Sequence, residues 1–386
     1  MAWAGVAVAA TDRREKIGAI VAAALSLPGL GVHAESAPER AEVALRYLSY
    51  QDAQPGLKRI RVKAPSLYLL TPLGSRWSLE ASAVSDQVSG ATPRYHSATS
   101  GATPRMSDER HAADVKVTRY FERSSWSLGY AGSKENDYRS SALSLGAAFA
   151  SDDNNTVVNI GLGRSADRIG STNDRTLAER KRTSEFMVGL TQAWTANDLV
   201  QFNLTYNTGR GFYSDPYKEP DIRPRERRQR IALARWNHHF SGWQSTLKTS
   251  YRYYGDSFGI KAHTVAAEWV QPVASRITVT PSLRYYTQSA ARFYYDPVYD
   301  PDVGAPYPPG YFANPPAFIS PDQRLAAFGG WTVGLKLNLR FDEDWSFDLK
   351  AERYEQRAGW RLGGQGSPGI DTFTATFWQL GVSRRF

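Results

Sequence analysis

The residues of this chain best placed to do chemistry are cations at even spacing. Arg59, Arg61 and Lys63 alternate with Ile60 and Val62. Lys248 and Arg252, Arg276 and Arg284, and Lys336 and Arg340 also lie an even number of positions apart, and Lys116 and Lys350 sit in alternating stretches of their own. A β-strand sends successive side chains to opposite faces, so this spacing gathers the cations on one wet face. There they outnumber the acids Glu80, Asp114, Glu268, Asp348 and Glu352. A pore lined in this way favours anions. The competing expectation is that opposite charges pair across neighbouring strands and fill a closed lumen.

Catalytic and metal-binding constellations do not assemble. Gly161-Leu162-Gly163-Arg164-Ser165-Ala166 imitates a dinucleotide fingerprint, but no amphipathic helix or βαβ unit surrounds it. Ser367 lacks the residue order of a nucleophile elbow. Adjacent His238 and His239 point to opposite faces of a strand and cannot chelate one ion together. Asp296, Asp300 and Asp302 do not have EF-hand spacing. No acid, base and nucleophile can be matched, so neither an enzyme nor a cofactor or metal site is expected.

Two long links carry binding chemistry of another kind. Arg223, Arg225, Arg227, Arg228 and Arg230 follow Pro220 and Pro224. Such a cluster could hold lipopolysaccharide phosphates through charge-assisted hydrogen bonds, or could be a solvated basic loop. Phe293, Tyr294, Tyr295, Tyr299, Tyr307, Tyr311 and Phe312 gather among prolines, where rings stack on flat ligands or pack into a lid.

The elements that position these residues are about sixteen extended, alternating segments, within the range of small membrane barrels. In the stretch 332–341, Val333, Leu335, Leu337, Leu339 and Phe341 face one way and Thr332, Gly334, Lys336, Asn338 and Arg340 the other. The same pattern recurs at 200–207 and 276–285. In 230–240, Ile231 and Leu233 fall out of phase with Trp236 and Phe240, which predicts a β-bulge. Links alternate in length. Short ones fall at 71–76, 122–125, 151–155, 195–198, 240–242, 271–276 and 342–344. Longer ones fall at 51–57, 86–110, 132–137, 165–182, 209–227, 255–261, 290–322 and 356–370. The expectation is an all-β, single transmembrane antiparallel up-and-down barrel of about sixteen strands, with short periplasmic turns and long outward loops.

Compartment signals agree. Arg13, Arg14 and Lys16 precede the apolar run 17–30, and Val32-His33-Ala34 forms a small-residue cleavage signature, so residues 1–34 read as a signal peptide and 35–386 as the barrel. No other apolar run reaches the roughly 18 residues of a helical span. The formal charge of +9 stays positive after the leader is removed, and the chain has no cysteine. Stability must therefore come from a closed ladder of strand hydrogen bonds rather than disulfides. In such a compartment no nucleic-acid partner is expected. Trp77, Trp126, Trp194, Trp236, Trp243, Trp269, Trp345 and Trp378 lie near the short links, as in an interfacial aromatic girdle. Trp378, Leu380, Val382 and terminal Phe386 share a face and resemble the signal read by the barrel-assembly machinery, although Arg384 interrupts it.

One long link holds an internal repeat. Ser89-Gly90-Ala91-Thr92-Pro93-Arg94 recurs as Ser100-Gly101-Ala102-Thr103-Pro104-Arg105, followed by Asp108-Glu109-Arg110 and a strand from Asp114 to Tyr120. With Arg324-Leu325, Ala327-Phe328-Gly329 and the C-terminal strand, these residues resemble an uncharacterised family of bacterial outer-membrane barrels, a domain of unknown function. The resemblance implies the fold, the compartment and a lipoprotein or periplasmic partner. It carries no substrate or catalytic residue. The repeat itself reads either as a pair of Gly-Pro turns or as a binding surface or constriction. Two functions therefore stand side by side: an outer-membrane channel for small, preferably anionic solutes, and a non-conducting, loop-plugged scaffold that docks a partner.

Overall fold

The computed structural model describes residues 36–90, 106–218, 220–296 and 307–386. The expected leader, 1–34, and the repeat residues 91–105 lie outside these, as do Tyr299, Asp300 and Asp302. Sixteen strands are present among the described residues. In chain order they are β1 (Glu42–Gln54), β2 (Leu57–Pro72), β3 (Trp77–Gly90), β4 (Met106–Tyr120), β5 (Ser124–Lys134), β6 (Tyr138–Ala150), β7 (Thr156–Ile169) and β8 (Glu179–Ala193). There follow β9 (Asp198–Gly211), β10 (Glu226–Phe240), β11 (Ser245–Asp256), β12 (Lys261–Ala274), β13 (Ile277–Gln288), β14 (Phe328–Arg340), β15 (Trp345–Arg357) and β16 (Phe373–Arg385).

Every strand pairs antiparallel with its sequence neighbours, and β1 pairs with β16 from Glu42↔Arg385 to Ala53↔Thr374, so the ring closes without an edge. Ala41 and Phe386 extend the seam by exchanging backbone hydrogen bonds of 2.9 and 3.0 Å. Closure satisfies the ladder internally, which a sheet surrounded by lipid requires. Both chain ends of the barrel lie at the end that carries the short turns.

Alternation divides each strand between two environments. Outward positions are apolar and exposed, among them Leu128, Leu143, Leu162, Phe202, Leu204, Val265 and Val333. They form a belt that only a hydrocarbon surrounding satisfies. Tryptophans border the belt at the short-turn end. Phe240, Trp243 and Trp269 pack together there with centroids 5.3 to 5.8 Å apart, and Arg384 sits 5.3 Å over the Trp345 ring, which is how that cation is tolerated on the apolar face.

The expected bulge in 230–240 is absent. β10 keeps continuous register with β9 and β11, so Ile231 and Leu233 point into the lumen and Trp236 points out. Register shifts lie instead between β12 and β13, at Pro272/Ala274, and between β1 and β2, at Gln51/Ala53. Asp52 there faces both Arg59 and Ile60, accepting a 2.9 Å hydrogen bond from the Ile60 backbone N–H. The shift turns Arg59 inward while Arg61 and Lys63 stand on the outer wall.

Candidate functional site

The lumen is lined by the inward positions, and its two sides differ. On β5, β6 and β7 these are mostly small: Ser127, Gly129, Ala131, Ser140, Ala142, Ser144, Gly146, Gly161 and Gly163. The serines lie across neighbouring glycines. A Cβ at Gly129 would come 2.6 Å from Ser144 Oγ, and one at Gly146 would come 2.5 Å from Ser127 Oγ. Eight strands round the ring, β13, β14 and β15 present Arg284, Lys336 and Lys350. Lys336 and Lys350 are directly opposed in register. Acids on this side lie flat against glycine. Asp348 covers Gly381, and Glu352 covers Gly334 while its carboxylate reaches Lys350 at 3.0 Å. A cavity of about 980 Å³ runs against the inner wall of β16 and β1 to β6, lined by Arg46, Ser66, Val84, Ala112, Ser133 and Ser140.

The eleven cations singled out by spacing have three fates. Lys116, Lys248, Arg252, Arg284, Lys336 and Lys350 face the lumen, with Lys116 bound to Glu80 at 2.7 Å. Arg59 is inward but fully buried, 3.9 Å from Asp52 and stacked over Phe373. The remaining four do not line a pore. Arg61 and Lys63 are exposed on the outer wall because of the bulge. Arg276 lies in the turn after β12 and Arg340 at the rim of β14, where they clasp the turns by donating to the carbonyls of Phe341 and Ser275. Spacing also missed other lumen cations, among them Arg46, Arg110, Lys181 and Arg235. Arg235 was hidden by the wrongly expected bulge, yet its alternation with Leu233 and Asn237 marks it as inward.

Toward the long-loop end the lumen charges pair. Arg110 binds Asp86, Lys181 binds Asp167 at 3.2 Å, and Arg227 binds Asp256 at 2.7 Å. An apolar cluster of Tyr50, Ile60, Val62, Ala64, Tyr354, Phe373 and Phe377 fills the same half beneath the seam.

Above them the long loops interlock. Phe258, Ile260, Ala291 and Leu325 pack with Tyr213 and Phe293 against lumen-facing Tyr254. Ile222 and Ile319 form an isolated antiparallel bridge between two loops. Beside it, Arg223 donates to both oxygens of Asp221 at 2.7 and 2.6 Å and to Asp322 at 2.6 Å, and Asp322 also receives Lys218 at 2.8 Å and Arg324 Nε at 2.7 Å. Burial pushes the Asp221 carboxyl up to about 6 against the pull of Arg223. For Asp322 burial is overcome by Lys218 and Arg223, which hold it down at about 2.

This geometry corrects the expected lipopolysaccharide cluster. Arg223 and Arg227 are buried and committed to carboxylates, and Arg225 is tied to Glu179 at 2.6 Å. Only Arg228 and Arg230 stand exposed on the outer wall. His238 and His239 do face opposite sides, His238 outward against Asp198 at 2.7 Å and His239 inward. In the aromatic loop, Phe293 and Tyr294 pack inward as part of the lid, whereas Tyr307, Tyr311 and Phe312 form a cluster of their own with centroids 4.8 to 5.2 Å apart.

Similar solved structures include a bacterial polysaccharide outer membrane secretin, at 8% identity over 92% of this chain and 100% of that one, with a TM-score of 0.50. CdiB from Acinetobacter baumannii matches at 9% over 88% and 60%, TM-score 0.49. The siderophore receptor PirA from Pseudomonas aeruginosa matches at 10% over 89% and 62%, TM-score 0.47. This chain thus spans about three fifths of the length of the last two. The likeness to the first is one of fold, a closed membrane-spanning barrel. No curated protein matches the sequence. The chain belongs to the family described as "Protein of unknown function (DUF3570)", whose model matches residues 17–180 and 171–377.

Proposed function

We propose that this chain is an outer-membrane transport barrel for small, preferably anionic solutes, with its short turns in the periplasm, its long loops outside and its outer mouth gated by the interlocked loops. The observation that carries the reading is the divided lumen. Arg284, Lys336 and Lys350 face a wall of serine, glycine and alanine across the ring, so the positive side is not neutralised from opposite. A confined passage with low-dielectric walls focuses that potential and raises the local concentration of anions. The paired charges and apolar cluster nearer the long loops make the outer half the restrictive part.

Planar-bilayer recordings under a salt gradient test this. The expected reversal potential is that of an anion-preferring pore, and absent conductance or cation preference rejects the proposal. Placement is tested by cysteine labelling of the otherwise cysteine-free protein in intact cells. Thr172→Cys should react, and Gly74→Cys and Asn154→Cys should not. The reverse pattern overturns the orientation.

The second reading, a non-conducting scaffold that docks a lipoprotein or periplasmic protein, is favoured by the loop clasp around Asp322. It expects no conductance even when the clasp is cut, together with co-purification of a defined partner. Under either reading, Trp378, Leu380, Val382 and Phe386, exposed along the outward face of β16, are the residues offered to the assembly machinery.

A further inference from the structure

Directly opposed like charges on a sheet face are destabilising, yet the outer wall at the long-loop end carries a row of them across four strands. Lys134 of β5 opposes Arg139 of β6, Arg139 opposes Arg168 of β7, and Arg168 opposes Arg180 of β8. Arg182 stands one outward position nearer the apolar belt on β8 and Arg164 two on β7, and all six are exposed. Facing residues in such a row have Cβ atoms about 5 Å apart.

The carboxylates of this region are engaged elsewhere. Asp167 points to the lumen and binds Lys181 and Ser140. Glu179 is held by Arg225, and Asp137 takes the Tyr217 hydroxyl. Among the described residues, none of the six cations forms an ion pair. On the same strands the outward positions below the row are Tyr130, Leu143, Leu162 and Phe186, all part of the lipid-facing belt. The row therefore lies where the hydrocarbon ends and headgroups begin. Across the ring the corresponding half of the wall carries Tyr251, Tyr285 and Trp331, with Arg353 exposed on β15 but not opposed by another cation.

We infer that the row Lys134–Arg139–Arg168–Arg180, with Arg164 and Arg182, binds the phosphates of a lipid A headgroup in the outer leaflet. Guanidinium forks match phosphate oxygens in pairs, so one diphosphorylated headgroup lying across β6 to β8 relieves the repulsion along the row while its acyl chains cover the apolar belt beneath. The six residues are distinct from the loop cluster 223–230, and two of that cluster's five arginines are buried. The inference rests on the outer-membrane placement but not on conduction, so a barrel that proves non-conducting leaves it intact.

The test uses full-length protein extracted from outer membranes. Arg139→Gln/Arg168→Gln/Arg180→Gln is compared with wild type and with Arg61→Gln/Lys63→Gln, which removes exposed outer-wall cations that do not face one another. Heat-modifiable migration reports folding, and native mass spectrometry reports bound lipid A. Retention should fall roughly tenfold in the triple variant, as three exposed charge contacts imply, and should be unchanged in the control. Wild-type barrel should also bind vesicles containing diphosphorylated lipid A and not vesicles containing its dephosphorylated form, an arm that needs no variant to fold. Equal retention by the folded triple variant, equal binding of dephosphorylated lipid A, or equal binding of phosphatidylglycerol vesicles overturns the inference.

Discussion

Arg223, in the link after β9, donates to Asp322, in the link after β13, at 2.6 Å across a sequence separation of 99 residues. Both side chains are buried, and Asp322 also holds Lys218 and Arg324. Removing one member of such a cluster leaves charge buried without compensation, a loss of about 3–5 kcal/mol. Asp322→Ala should therefore open the clasp without unmaking the strand ladder. Trypsin should then cut after Lys218 and Arg324 in folded, heat-modifiable protein, and single-channel conductance should rise. Full protection of both sites in the variant would show that the loops are held closed by their apolar contacts alone.

The clasp should also respond to pH, with two limbs of opposite sign. Asp221, raised to about 6, keeps its proton in the closed form where an opened loop near the ordinary 3.8 has released it, so closure strengthens as pH falls from about 6 to about 4. Asp322, lowered to about 2, contributes fully above its ordinary value and loses that contribution as pH falls toward 2. Hydrogen exchange at the Ile222 and Ile319 amides, corrected for intrinsic rates, should show greatest protection near pH 4. Asp221→Asn should flatten the upper limb and spare the lower one. A steady loss of protection from pH 7 down to 4 would contradict this assignment.

How far the sequence could be read depended on regularity. Uninterrupted alternation, as in Val333 to Arg340, gave the right face for each residue, and the sorting of short and long links gave the up-and-down strand order. Alternation fails where one residue is added to a strand. The shift near Asp52 moved Arg61 and Lys63 outside, while the unbroken β10 carried apolar Ile231 and Leu233 inward against expectation. Loop arginines were legible as a cluster but not as partners, because Asp322 comes from a different link and sequence holds no signal for which loops meet.

The bulge itself gives a stability prediction. Arg59 lies buried over the Phe373 ring, and Asp52 is the carboxylate beside it. Asp52→Ala strips that charge of its partner and leaves the Ile60 N–H without its acceptor, so destabilisation of about 3–5 kcal/mol is expected. Arg59→Leu together with Asp52→Asn keeps an acceptor for Ile60 and replaces the ion pair by apolar packing, which is often neutral or stabilising. Urea titrations of refolded barrel in vesicles should place the double variant near wild type and Asp52→Ala well below both. Equal loss in the two variants would mean that the ion pair, rather than the hydrogen bond and packing, sustains the bulge.

Selectivity should depend on which wall a cation occupies. Lys336 and Lys350 face each other inside the barrel, whereas Arg61 and Lys63 stand outside despite belonging to an equally regular run of basic residues. Lys336→Glu/Lys350→Glu changes the lumen charge by four units and places acids beside Asp348 and Glu352 on the basic side. Arg61→Glu/Lys63→Glu makes the same formal change where the membrane and bulk solvent separate it from the permeating ion, and screening acts within about 10 Å. In bilayers under a salt gradient, the inner pair should move the reversal potential from anion to cation preference, and the outer pair should leave it near wild type. The contrast should be steeper at low salt, because interactions inside a confined lumen are screened less than those on an open surface. If the two double variants shift the potential equally, conduction does not run past Lys336 and Lys350, and the basic wall is a packed interior rather than the lining of a route.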